Sequence, residues 1–179
     1  RGGRSVTDLK NYANEYDFTV EEIKAQEIEK IKVSSTKIRN SINDGDLKTA
    51  GKYLGRSFKL TGKVIKGDGL GKKINYPTAN IFIEEKYKIT PKDGVYFIKT
   101  IIKNKIYNGM MNIGHRPTIG SNDKSLEVHL FNFNEDIYDH VISIEMISKI
   151  RDEKKFASIE GLKKQLLKDE NYCLKLINK

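Results

Sequence analysis

The chain has 179 residues, enough for one domain, or for one domain with part of another. Its 37% hydrophobic and 32% charged content supports a globular core, and no apolar run approaches the ~18 residues of a membrane span, so a transmembrane reading is excluded. A net charge of +9, with eleven lysines against four acidic residues between positions 59 and 105, favours phosphate-bearing partners: nucleotides, nucleic acid or an anionic membrane.

The opening RGGR reads as a loop. Ser5 to Asp8 offers a helix start, followed by Leu9, Tyr12, Ala13 and Tyr16 at helical spacing. Phe18 to Val20 reads as a short strand, and residues 21–32, charged with interspersed isoleucines, as strand or loop. Ser34-Ser-Thr36 is a cluster of cap residues before Ile38 and Ile42, and Asn43-Asp-Gly45 ends that helix. Asp46 caps a second helix, with Leu47, Ala50, Tyr53 and Leu54 facing inward and Gly55 stopping it.

After Gly55 the period changes from helical to alternating, with Phe58, Leu60, Gly62 and Val64 on one side of a strand. The stretch from Lys66 to Asn80 shows no regular element until its end, where Ala79 to Ile83 is strand-like. Asp93-Gly94 signals a turn into a strand from Val95 to Ile102, and Lys103-Asn104-Lys105 is a tight hairpin into Ile106 to Ile113. Leu126 to Phe133 and Val141 to Ile150 alternate again. Ser158 caps a C-terminal helix with Ile159, Leu162, Leu166, Cys173 and Ile177 on or near one face. Five to seven strands in a meander, with no helices between them, predict a mainly β fold: a small closed antiparallel β-barrel with a C-terminal helix, preceded by a helical or partial α/β segment.

One cysteine, Cys173, excludes an internal disulfide framework and a cysteine-based zinc site, and points to a reducing, cytoplasmic setting with no secretory signal. Three histidines do not form a spaced ligand set. Gly67, Gly69 and Gly71 alternate just before Lys72 and Lys73. Glycines let backbone N–H groups turn toward an anion, so this segment is either a phosphate cradle or a plain surface loop; it lacks both the Walker A and the dinucleotide-binding spacing. Thr78 and Asn80 carry hard oxygens suited to Mg²⁺, two residues apart on one strand face, or else make a turn hydrogen bond. Glu127 shares a strand face with His129, opposite Leu126, Val128 and Leu130; it is either a carboxylate over a cleft or a solvated strand residue.

Taken in order, Gly67-x-Gly-x-Gly71-Lys72, Pro77-Thr-Ala-Asn80, Asp93-Gly-Val-Tyr96, Asn112-Ile-Gly114, Leu126-Glu-Val-His129 and Arg151-x-Glu153-Lys154-x-Phe156 resemble the riboflavin kinase module over about residues 57–175. Val33-Ser-Ser-Thr-Lys-Ile-Arg39 resembles a motif near the end of the FMN adenylyltransferase domain, which precedes the kinase in bacterial bifunctional FAD synthetases. The resemblance implies a remnant of that domain over 1–44, a helical linker over 45–57 and a kinase domain over 58–179. The chain starts at Arg1 rather than Met and contains no HxGH-type motif, so it is expected to begin inside something longer, or to have been processed, and not to adenylylate FMN alone. Asn75 stands where the bacterial module commonly has glycine.

By this resemblance the chain transfers the γ-phosphoryl of ATP to the 5′-hydroxyl of riboflavin, giving FMN and ADP, with Mg²⁺ accompanying ATP and no permanently bound cofactor. Gly67, Gly69, Gly71 and Lys72 would cover the ATP phosphates, Thr78 and Asn80 would hold the metal, and Glu127 would act as base. Arg151, Lys154 and Phe156 would line the flavin side. Ser34, Ser35, Thr36 and Arg39 would belong to the adenylyltransferase remnant, whose domain is the implied partner in the longer protein. Neither nucleic acid nor a membrane is an implied partner. The alternative is a basic barrel that binds nucleic acid, which needs aromatic residues gathered on one sheet face; here they are spread over many elements.

Overall fold

A computed structural model describes residues 5–177 except 23–26, 29–30, 68, 86 and 116–123. The chain forms two compact units, Arg1–Val33 and Ser34–Lys179.

In the first unit, α1 (Val6–Glu15) starts at a capping box: the Asp8 N–H donates to the Ser5 hydroxyl and the Ser5 N–H donates to the Asp8 carboxylate. Phe18 to Val20, expected as a strand, forms no strand, and among the described residues it has no ladder partner. The two-residue strands β1 (Glu27–Ile28) and β2 (Ile31–Lys32) pair with each other instead.

The second unit opens with α2 (Ser35–Asn43) and α3 (Leu47–Leu54), capped by Ser34 and Asp46 as the sequence predicts. Gly55 ends α3 in the left-handed conformation. Leu47 joins the barrel core and Gly45, in the turn between the helices, abuts the hydroxyl of buried Tyr96, so this helical pair packs onto the barrel.

Six strands close the barrel: β3 (Phe58–Ile65), β4 (Ala79–Phe82), β5 (Gly94–Ile102), β6 (Lys105–His115), β7 (Lys124–Leu130) and β8 (Val141–Arg151). Every pairing is antiparallel, and the order around the barrel is β3-β4-β7-β6-β5-β8. Only β5-β6-β7 runs as the predicted meander. β4 leaves β5 aside to pair with β7, and β8 inserts between β5 and β3, so no strand keeps an unpaired edge. Closure also needs β3 and β4 to approach closely at Gly62, where a Cβ would lie 2.5 Å from the Phe82 carbonyl oxygen.

Lys103 and Asn104 both have positive φ, making the two-residue β5–β6 turn of the primed type that matches strand twist. One turn of helix, α4 (Leu70–Lys73), interrupts the glycine segment that was read as irregular. Asn75 follows it at φ 63°, so the position where related modules carry glycine does require left-handed backbone, which Asn tolerates better than most residues.

The final helix, α5 (Ile159–Ile177), is capped by the Ser158 hydroxyl, which accepts from the Gly161 N–H. Its inward face carries Leu162, Leu166, Asp169, Cys173 and Leu176, while Ile159 and Ile177 are exposed. α5 covers the outside of β5 and β6. Val95, Phe97 and Met110 pack there with Phe131 and Cys173, whereas Tyr96, Ile98 and Met111 fill the barrel interior. The central part of β5 is therefore apolar on both faces, which explains its unbroken hydrophobic run.

Candidate active site

The strand register brings the chemistry-bearing residues into one row. Asn80 of β4 lies opposite Glu127 of β7, Glu127 opposite Asn112 of β6, Asn112 opposite Val95 of β5, and Val95 opposite Arg151 of β8. Directly opposed residues in antiparallel pairs share a face at about 5 Å between Cβ atoms, so the row crosses five strands on the outer wall of the barrel. Register shifts between β5 and β8 near Val95 set Arg151 at its end.

A cavity of about 240 Å³ opens over this row. Asn112, Glu127, His129 and Arg151 form its floor and flank. Thr78 and Gly71 close one side, and Glu153, Lys154, Phe156 and Leu162 the other. A second cavity, of about 710 Å³, is lined by Lys72, Val128, Phe133, Ile137 and Tyr138 among others, and Val128 and Ile137 belong to the interior core. Thr78 lines both.

The glycines serve close approach. A Cβ on Gly67 would lie 1.9 Å from the Asn80 side-chain amide, and one on Gly71 would lie 2.2 Å from the Tyr76 carbonyl and 3.1 Å from Thr78 Oγ1. The glycine segment thus lies directly against the Thr78 and Asn80 side chains. Gly69 has left-handed backbone and open space around it, and Lys72 faces the larger cavity. Asn80 is 6% exposed, behind Gly67 and off the cavity wall. Thr78, on the cavity wall, and Asn80, opposite Glu127 but behind Gly67, carry neutral oxygens whose chemistry suits Mg²⁺ when phosphate supplies the remaining charge. Ser125 donates to Glu127 Oε1 at 3.1 Å.

Arg151 faces the protein rather than the cavity centre. Its Nε and Nη2 donate to the Asp169 carboxylate at 2.8–3.1 Å, and its Nη1 donates to the Asp152 carbonyl. Asp169 is 2% exposed and also accepts from Gln165 Nε2. The Phe156 ring sits 5.9 Å from the same guanidinium. Arg151 therefore acts as a strut tying β8, the 152–156 segment and α5 together. Tyr76 donates to Glu170 at 3.0 Å; burial and that carboxylate push its phenol up to about 12. Ser34, Ser35, Thr36 and Arg39 cluster at the start of α2 and line neither cavity; Arg39 Nη2 meets the Thr36 hydroxyl.

Asn112, Tyr76, Glu153 and Asp169 were not singled out for a role from the sequence, and His129 only as a neighbour of Glu127. Asp169 had a readable signal: a carboxylate on the apolar stripe of α5. Asn112 had only its place in the Asn112-Ile-Gly114 motif, and its position beside Glu127 follows from the β6–β7 register.

The fold is a closed antiparallel barrel with a cavity on its outer wall that Leu162 and Leu166 of the C-terminal helix help to line. The flavokinase (riboflavin kinase) family model matches residues 54–177, and the chain belongs to the riboflavin kinase family. Among curated proteins it is 39% identical over 162 residues to a bifunctional riboflavin kinase/FMN adenylyltransferase of Haemophilus influenzae, covering 90% of this chain and 52% of that protein. A protein of the same description from Bacillus subtilis is 39% identical over 147 residues, covering 80% of this chain and 46% of that one. A solved structure described as a macrolide-efflux protein from Streptococcus pneumoniae matches with a TM-score of 0.83 and 38% identity, over 94% of this chain and 54% of that one. The chain thus spans about half the length of the curated relatives it matches. Among the described residues no helix is long and apolar enough to cross a membrane. No finding supports the nucleic-acid alternative.

Proposed function

We propose that this chain is an ATP:riboflavin 5′-phosphotransferase, with the flavin in the smaller cavity and the nucleotide in the larger. The observation that carries this reading is that Thr78 lines both cavities and stands two residues before Asn80, the cross-strand partner of Glu127. A donor phosphate entering from one side and an acceptor hydroxyl from the other would meet at a carboxylate.

The apolar walls of the smaller cavity, with Phe156 and Leu162, suit an isoalloxazine ring, and the polar row at its floor suits the ribityl hydroxyls. Glu127 accepts the proton of the 5′-hydroxyl as its oxygen bonds to the γ-phosphorus, while the bond from that phosphorus to the β-bridging oxygen breaks and ADP leaves. Thr78 Oγ1 and Asn80 Oδ1 would hold Mg²⁺, which when bound neutralises phosphate charge. Lys72 with Gly67, Gly69 and Gly71 would face the phosphates, and Lys154 the flavin. Arg151 supports the flavin wall through Asp169 and Phe156. In the longer protein the same chain would serve FAD synthesis beside an adenylyltransferase domain, with Ser34, Ser35, Thr36 and Arg39 on that side, in the cytoplasm.

The test is incubation with riboflavin and ATP, with and without Mg²⁺, and chromatographic separation of the flavins. Mg²⁺-dependent FMN without FAD is the expected result. Glu127→Gln should lower kcat by about 10²–10⁴ with folding intact. A Gln variant of near-parental rate would refute the role of Glu127.

A further inference from the structure

We infer that His129 is a positioning residue that holds the Thr78 end of β4 in register with Glu127. The inference rests on the reading of Thr78 and Asn80 as the nucleotide and metal side.

The β4–β7 ladder is short. It contains two residue pairs, Ala79 with Val128 and Asn80 with Glu127. The next step along β7 is His129, and Thr78 is the next step back along β4, so Thr78 lies just outside the paired region. There the backbone ladder stops and a side chain takes over: His129 Nδ1 lies 2.8 Å from the Pro77 carbonyl oxygen. A carbonyl oxygen only accepts, so Nδ1 carries the hydrogen and donates. The imidazole is held in this orientation by two rings, Tyr76 at 5.1 Å between centroids and Phe131 at 5.9 Å.

The geometric consequence is specific. Glu127 and His129 project from the same face of one strand, two residues apart. One addresses the acceptor hydroxyl in the proposed reaction. The other ties down the residue preceding Thr78. A single rigid strand thereby sets the distance between the proposed base and the oxygen donors on β4. On its other side β4 pairs with β3 only from Asn80 onward, so without the tie Thr78 precedes every ladder pair of β4, next to a Pro77 that has no N–H to donate. The side chain thus extends a ladder that the backbone cannot continue.

Two substitutions separate the donor from the ring. His129→Asn keeps a nitrogen donor at the Nδ1 position and loses the ring; His129→Phe keeps the ring and loses the donor. Calorimetric titration of the 179-residue chain with Mg²⁺–ADP, and separately with riboflavin, reads binding without turnover; thermal unfolding checks the fold. His129→Phe should weaken Mg²⁺–ADP binding about fivefold, as expected for one lost hydrogen bond. His129→Asn should restore most of the nucleotide affinity, although it returns no ring to the smaller cavity that His129 lines. Nucleotide affinity unchanged in His129→Phe, or no rescue by Asn, overturns the inference. So does a loss confined to riboflavin, because His129 then acts only through the cavity it lines and not through Pro77. Failure of the parent chain to bind Mg²⁺–ADP at all refutes the functional reading instead.

Discussion

Asp169→Ala is the most informative perturbation of the fold around the site. Asp169 is 2% exposed and its carboxylate takes three contacts from Arg151 and one from Gln165. The Arg151 side chain is itself 14% exposed. Removing the carboxylate strands a guanidinium in a largely dry setting, which costs about 3–5 kcal/mol. For a chain of this length each kcal/mol lowers Tm by about 2–4 °C, so the transition should fall by roughly 10 °C. Urea unfolding should show the same loss at an unchanged slope. The double variant Arg151→Met/Asp169→Leu removes both charges and should recover most of that stability, since a buried pair is close to neutral against apolar residues of similar volume. It should not recover riboflavin affinity, because the hydrogen bond to the Asp152 carbonyl and the stacking on Phe156 leave with the guanidinium. A single variant within about 1 kcal/mol of the parent, or a double variant as unstable as the single, would show that the pair is not the buried strut described above.

Two further outcomes follow from the geometry. Gly62→Ala places a methyl 2.5 Å from the Phe82 carbonyl oxygen and 2.7 Å from Ile81 Cγ2, so β3 and β4 must separate; a loss of about 1–3 kcal/mol in chemical unfolding is expected. Tyr76 keeps its proton in the fold until about 12, while an unfolded tyrosine releases it near 10; the unfolded chain then binds fewer protons, so stability should fall as pH rises through that window. Ultraviolet phenolate titration should show late-ionising tyrosines, and Tyr76→Phe should flatten the alkaline loss of stability attributable to this group.

The elements that were legible in the sequence are those whose signals are local. Caps at Ser5, Ser34, Asp46 and Ser158 hydrogen-bond within three residues, and the hairpin at Lys103-Asn104 needs only its own backbone angles. Alternation placed Leu126, Val128 and Leu130 inward and Glu127 and His129 outward, as found. The glycine segment, the Thr78–Asn80 pair and Glu127 carried a family resemblance because their order along the chain is itself the motif. Exceptions were local signals without a partner: Phe18 to Val20 has strand composition but, among the described residues, no neighbour to pair with, and Ile177 keeps helical spacing yet falls off the buried face of α5.

Residue types, turn chemistry and periodicity therefore determined most of the elements that form and which candidate site residues stand close together along the chain. Strand order, and the register of strands not joined by a tight hairpin, were decided only by the tertiary structure, because their pairing depends on which faces meet across the closed barrel. Closure put β4 beside β7 instead of β5, which set Asn80 against Glu127 and Asn112 beyond it. Packing of α5 then turned Arg151 away from solvent onto Asp169, since a buried carboxylate on an apolar helix face must find a cation, and the nearest was the last residue of β8.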